Sequence, residues 1–170
     1  MREPEGFRDF VAARYPALVR FGTLLADDAG HGEDLAQVAL VKTLRAWRRL
    51  HPDGDAEAYT RRVMAREAWR AGRRRWRGEV PTAELPEVTA DDPYRHVVHQ
   101  DTVSRLLDVL PAQQRVVLTL RYWAGLSEAE IADQLGCSVG TVKSRASRAL
   151  ATLRAAGALT ETFLTNGAHR

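Results

Sequence analysis

Residues 110–153 read LPAQQRVVLTLRYWAGLSEAEIADQLGCSVGTVKSRASRALATL. Their spacing predicts two helices joined by a three-residue turn. Ser127 and Glu130 form an S-x-x-E capping box ahead of Ile131, which sets the start of the first helix at Ser127. Ala132 is small where two helices must cross closely. Gly136 suits the left-handed position that ends a helix, and Ser138 can cap the next one. In the second helix Val142, Ala146, Ala149, Leu150 and Leu153 recur at helical spacing and should face the core. Gly140, Thr141, Ser144, Ser147 and Arg148 then point outward, flanked by Lys143 and Arg145. No Asp or Glu lies between Gly140 and Arg154. A solvated face usually mixes signs. A basic, hydroxyl-rich face free of acids is what a phosphate-lined groove favours. A helix-turn-helix places its second helix in a DNA major groove.

The rest of the charge supports a polyanion partner. The 170 residues carry a net charge of only +3, so the position of the basic residues matters more than their sum. Arg61, Arg62, Arg66, Arg70, Arg73, Arg74, Arg75 and Arg77 crowd one stretch with a single acid, Glu67. Residues 79–101 that follow are mainly acidic, with Glu84, Glu87, Asp91 and Asp92. This segregation of sign points one face at a nucleic acid. Trp69 and Trp76, seven apart in that stretch, could stack on unpaired bases or pack in the core.

Only helical periods are evident, so the chain is expected to be all-α, with two small helical domains. The N-terminal domain spans 1–77. Phe7, Phe10 and Val11 begin an amphipathic helix that Tyr15-Pro16 should break or restart. Leu18, Phe21, Leu24 and Leu25 continue its stripe. A further helix from about His31 to Leu50 should turn Leu35, Val38, Val41, Leu44 and Trp47 inward, with Asp34, Gln37, Arg45 and Arg48 on the other side. Asp55 can cap a last helix through the arginine run. Residues 78–93 form an acidic, proline-containing linker. The C-terminal domain spans 94–156, with Pro111 at a first helical position and Val116, Val117, Leu120 and Trp123 as core. Residues 157–170 read as a flexible tail.

Other chemistry is not encoded. Cys137 is the one cysteine, so there is no internal disulfide, and it reads as a small half-buried residue of the turn. His96 and His99 lack further ligands, so no metal is expected. There is no nucleophile with a base, no paired carboxylates and no phosphate-cradling glycine loop, hence no catalytic residue and no cofactor. The N-terminus lacks an apolar signal core, and no 18-residue apolar run exists. A cytoplasmic protein without membrane insertion is expected.

The run from Leu110 to Arg154 closely resembles the promoter-reading domain of ECF (extracytoplasmic-function) sigma factors. The block GHGEDLAQVALVKTLRAWRRL, residues 30–50, resembles their N-terminal domain, which docks on RNA polymerase core. The resemblance implies three roles. Thr141, Lys143, Ser144, Arg145 and Arg148 would read the −35 element of promoter DNA. Asp34 and Gln37, with Leu35 behind them, would dock on core polymerase. Arg66, Arg70, Arg73, Arg74, Arg75 and Arg77 would contact the −10 element. It also leaves room for an anti-sigma factor as a partner. One departure stands out. Many members carry an Asn that holds a flipped −10 base where this chain has Arg66, and an acid four positions later is replaced by Arg70. Two other readings stay open from the residues alone: a stand-alone regulator dimerising on a palindrome, and a helical protein-interaction adaptor.

Overall fold

The computed structural model describes residues 4–26, 28–50, 55–78 and 102–157, at 75–78 and 102 through the backbone alone. The first helix, α1 (Phe7–Leu25), runs straight through Pro16 rather than breaking there. Ala12 and Pro16 are both exposed, so the carbonyl that loses its donor to proline is open to solvent. The buried stripe Leu18, Phe21, Leu24 and Leu25 then holds the second half in register with the first. Helix α2 (Ala29–Leu50) follows almost at once. Asp28 caps it by accepting the His31 amide at 2.8 Å. Helix α2 therefore starts about two residues earlier than the sequence suggests.

The phase of α2 differs from the expectation. Its buried residues are Gly32, Ala36, Ala39, Leu40, Thr43 and Trp47. Val38 and Val41 are 45% and 50% exposed. The physical reason is backbone proximity. Gly22 and Gly32 pass so closely that a Cβ on Gly32 would stand 2.5 Å from the Thr23 nitrogen. Only small residues fit such a seam, so the alanines, not the valines, face α1. At the far end Trp47 packs edge-on against Phe7 at 5.1 Å and donates its indole N–H to the Glu5 carbonyl at 2.9 Å.

Helix α3 (Ala56–Gly78) carries the arginine run. Asp55 accepts the Ala58 amide at 2.8 Å, as expected of its cap. Against α2 it forms a buried Thr43–Thr60 hydroxyl pair at 2.8 Å and the Lys42–Glu67 ion pair at 2.6 Å.

The C-terminal half begins with α4 (Thr102–Leu107) and α5 (Ala112–Leu118). Pro111 precedes α5 as its N-cap, one place earlier than expected. Arg115 is buried, with Nε and Nη2 both donating to the Leu107 carbonyl at 3.0 and 2.9 Å, which ties α4 to α5. After Leu118 the helix widens into a π-helical turn over Thr119–Trp123. The wider turn rotates the apolar stripe, so Val116, Val117 and Leu120 stay buried but Trp123 is 45% exposed, against the expectation for it. Helices α6 (Glu128–Leu135) and α7 (Val139–Ala155) complete the chain. No strand occurs among the described residues, and none of their helices is long and apolar enough to cross a membrane.

The two halves share one buried seam. The Thr119 hydroxyl donates to the Leu24 carbonyl at 3.2 Å, and Gly72 of α3 backs onto Ala112 of α5. Residues 79–93 of the linker, 158–170 of the tail, His96 and His99 lie outside the described residues.

Candidate nucleic-acid interface

The entrance to α7 is built as the sequence requires. Ser127 accepts the Glu130 amide at 3.2 Å, and the Glu130 carboxylate accepts the Ser127 amide at 2.8 Å. The Ser127 hydroxyl also donates to that carboxylate at 2.7 Å, and this bond first and the amide bond second hold the Glu130 carboxyl below its ordinary range. Gly136 ends α6 at φ 67°, a left-handed conformation that a side chain would strain. Ser138 then caps α7, accepting the Thr141 amide at 3.0 Å. The turn is therefore fixed at both ends, and α7 is held at a set angle.

The faces of α7 divide as its period predicts. Val142, Ala146, Ala149 and Leu153 are buried and Leu150 partly so. Gly140, Lys143, Ser144, Ser147 and Arg148 are exposed. Thr141 is half-buried, its hydroxyl 2.9 Å from that of Ser138. Lys143 lies 3.9 Å from Glu128, a loose surface pair that water largely screens. Glu128 is bonded more closely to Arg121. Arg145 leans away from the open face. With Thr141 it lines a cleft of about 320 Å³ whose far wall carries Trp69 and Arg73 of α3. Cys137 stays half-buried in the turn, and burial pushes its thiol up from the ordinary value.

The arginine run is less uniform than it looks in one dimension. Arg62, Arg66, Arg70, Arg73 and Arg74 are exposed. Arg61 pairs with Glu57 at 2.6 Å and lies over the Phe21 ring, 5.5 Å from its centroid. Arg70 reaches Glu67 at 3.3 Å. Arg66 donates through Nε to the Gln134 carbonyl at 2.6 Å, across to the helix-turn-helix. Trp69 is only 4% exposed, so it packs in the core here. The side chains of Arg75, Trp76 and Arg77 lie outside the described residues.

The third group lies on α2, where Asp34 and Leu35 share a cleft of about 470 Å³ with Arg74 of α3. Asp34 and Gln37 are exposed on α2, and Leu35 is half-buried behind them. Val38 and Val41 stand on the same outer side, so this face is apolar as well as polar. Reading valine as core missed this. The small residues Ala36, Ala39 and Thr43, at proper helical spacing, are the signal that could have revealed it. Among the described residues no three His, Cys, Asp or Glu side chains gather as metal ligands would.

Residues 10–78 match the family Sigma-70 region 2, and residues 100–153 match Sigma-70, region 4. The chain is 41% identical over 151 residues to the RNA polymerase sigma-E factor of Streptomyces avermitilis, covering 87% of this chain and 83% of that one. It is 33% identical over 147 residues to the ECF RNA polymerase sigma factor SigL of Mycobacterium tuberculosis, covering 81% of this chain and 80% of the other. A solved structure, the sigma factor RpoE in complex with the anti-sigma factor NepR from Bartonella quintana, superposes with a TM-score of 0.57 at 25% identity, covering 95% of this chain and 98% of that one.

Proposed function

The chain belongs to the ECF sigma factors of the sigma-70 family, and from that premise we propose which of its residues dock and which read DNA. It binds RNA polymerase and directs promoter-specific transcription initiation. We divide it into an N-terminal domain at 1–77, a linker at 78–93, a C-terminal domain at 94–156 and a tail at 157–170. The family matches at 10–78 and 100–153 support that division.

We assign −35 reading to α7. The observation that carries this is its open face, where Ser144 and Arg148 are exposed and no acid intervenes from Gly140 to Arg154. A guanidinium there can bond two acceptors of a guanine edge. Lys143 and Arg145, at the flanks, suit phosphates, and Thr141 stands at the helix entrance. Arg66, Arg70, Arg73, Arg74, Arg75 and Arg77 of α3 are assigned to the −10 element. The arginine at position 66 favours phosphate attraction over the capture of one base by a short amide. Asp34 and Gln37, with Leu35 behind, are assigned to polymerase docking, and Val38 and Val41 extend that face. We assign no catalytic chemistry and no cofactor to the chain. Because the solved relative is seen with an anti-sigma factor, we count an anti-sigma factor among its partners.

The test is Arg148→Ala. Its holoenzyme should lose about 1–3 kcal/mol at one −35 base pair and accept other bases there. Lys143→Ala should weaken all promoters alike. An unchanged −35 preference with Arg148→Ala would refute the assignment of α7.

A further inference from the structure

The open stretch of α7 has no acid of its own, yet the fold brings one to its edge. Glu128 is the first residue of α6, where the unpaired amides of a helix start favour a carboxylate. Its Oε1 accepts from the guanidinium of Arg121, on the π-helical turn. Its Oε2 lies 3.9 Å from Nζ of Lys143, on α7. Glu130, the other acid in the first turn of α6, is taken up by the amide and hydroxyl of Ser127. Glu128 therefore serves two cations from two elements, and one of them flanks the face assigned to the −35 element.

The two ends of this bridge are unequal. Arg121 is bonded directly, with its side chain 36% exposed, while Lys143 is held loosely, with its side chain 65% exposed. A pair as open as Lys143–Glu128 adds little to the fold. Its weight falls on DNA binding instead. A lysine that meets a phosphate releases a counterion and strengthens binding to every sequence. A carboxylate beside that lysine offsets part of its charge. Phosphate contacts position a helix and base edges specify its site, so such a restraint lowers affinity without altering the preferred sequence.

We infer that Glu128 is a positioning residue that restrains Lys143, keeping α7 a weak reader of duplex DNA without choosing its sequence. The inference rests on the −35 assignment of α7. The chain alone is thereby held back from arbitrary duplex DNA, and tight binding waits for a polymerase that engages both readers at once.

Glu128→Gln separates the two ends of the bridge. The new carbonyl oxygen still accepts from Arg121, while the amide has no charge to draw Lys143. Binding of the full chain, and of its holoenzyme, is measured on duplexes with the preferred −35 element and with that element scrambled, across a salt series. With Glu128→Gln, affinity for both duplexes should rise about twofold to fivefold at low salt, the range of an exposed ion pair. The log–log salt slope should steepen by up to about 0.9, as for one more phosphate met. The ratio between the duplexes should not move. Glu128→Asp, which keeps the charge, should keep the slope of the parent. In a Lys143→Ala background Glu128→Gln should bring less than half of its gain. Equal or weaker binding by Glu128→Gln with an unchanged slope would overturn the proposal, because an acid that only supports the fold would act that way. So would a changed preference at one −35 base pair, which would make Glu128 a base reader. A gain that persists in full without Lys143 would overturn it as well. If the parent holoenzyme does not distinguish the two duplexes, the −35 assignment fails instead, and the salt slopes still decide whether Glu128 restrains Lys143.

Discussion

Glu67 shows how much of the chemistry in the arginine run is settled by single contacts. It is the one acid among eight arginines, yet its closest partner is Lys42 on α2, at 2.6 Å. That hydrogen bond, more than the Coulomb pull of Lys42, Arg70 or Arg74, holds the Glu67 carboxyl below its ordinary value of 4.5. A lowered carboxyl adds stability above about pH 4.5 and loses it as pH falls through the lowered value. Glu67→Gln should therefore cost about 0.5–1 kcal/mol at neutral pH, the size of a partly screened pair. The deficit should shrink towards zero in acid. Denaturant melts of both proteins from pH 7 to pH 3 check this, and a deficit that persists unchanged to pH 3 would contradict it. Such pairings were only half legible in the sequence. The exposed Ser144 and Arg148 follow from helical period alone. The Arg66–Gln134 bond joins residues 68 positions apart, and no local pattern announces it.

Helices were read best where polar caps fix their ends. The α6–turn–α7 unit lies where Ser127, Gly136 and Ser138 place it, because each of these residues satisfies a backbone need that few others can. Helix α2 was read out of phase because the packing there rests on small residues. A scan for large apolar side chains selects Val38 and Val41, while Ala36, Ala39 and the glycine crossing decide the orientation. Pro16 misled for a related reason: its cost is local and exposed, and the stripe on either side outweighs it. The glycine crossing gives a direct check. A Cβ on Gly32 meets backbone, which cannot rotate aside. Gly32→Ala should destabilise the chain by about 1–3 kcal/mol or more, although alanine is the better helix former. The urea midpoint should fall with an unchanged slope. A variant as stable as the parent would mean that α1 and α2 cross elsewhere.

For the chain as a unit, the order of its parts was legible and their contact was not. A docking block, a basic helix, an acidic linker and a helix-turn-helix follow one another in the sequence. Packing of α3 on α5 and α6 is a product of three dimensions only. Two weak DNA readers gain affinity when something holds them at a fixed separation, since the second contact becomes effectively intramolecular. The account therefore requires polymerase for tight and selective binding. Asp34, exposed on α2 and carrying a charge that DNA repels, separates this requirement from DNA binding itself. The direct measurement is run-off transcription by core polymerase from a promoter library randomised at −35 and −10, with the parent chain and with Asp34→Arg. The parent should co-elute with core and yield transcripts from templates that share both elements at one spacing. Asp34→Arg should keep its helical content and yield none. Tight, selective binding of duplex DNA by the parent without polymerase, together with full transcription by Asp34→Arg, would contradict the account.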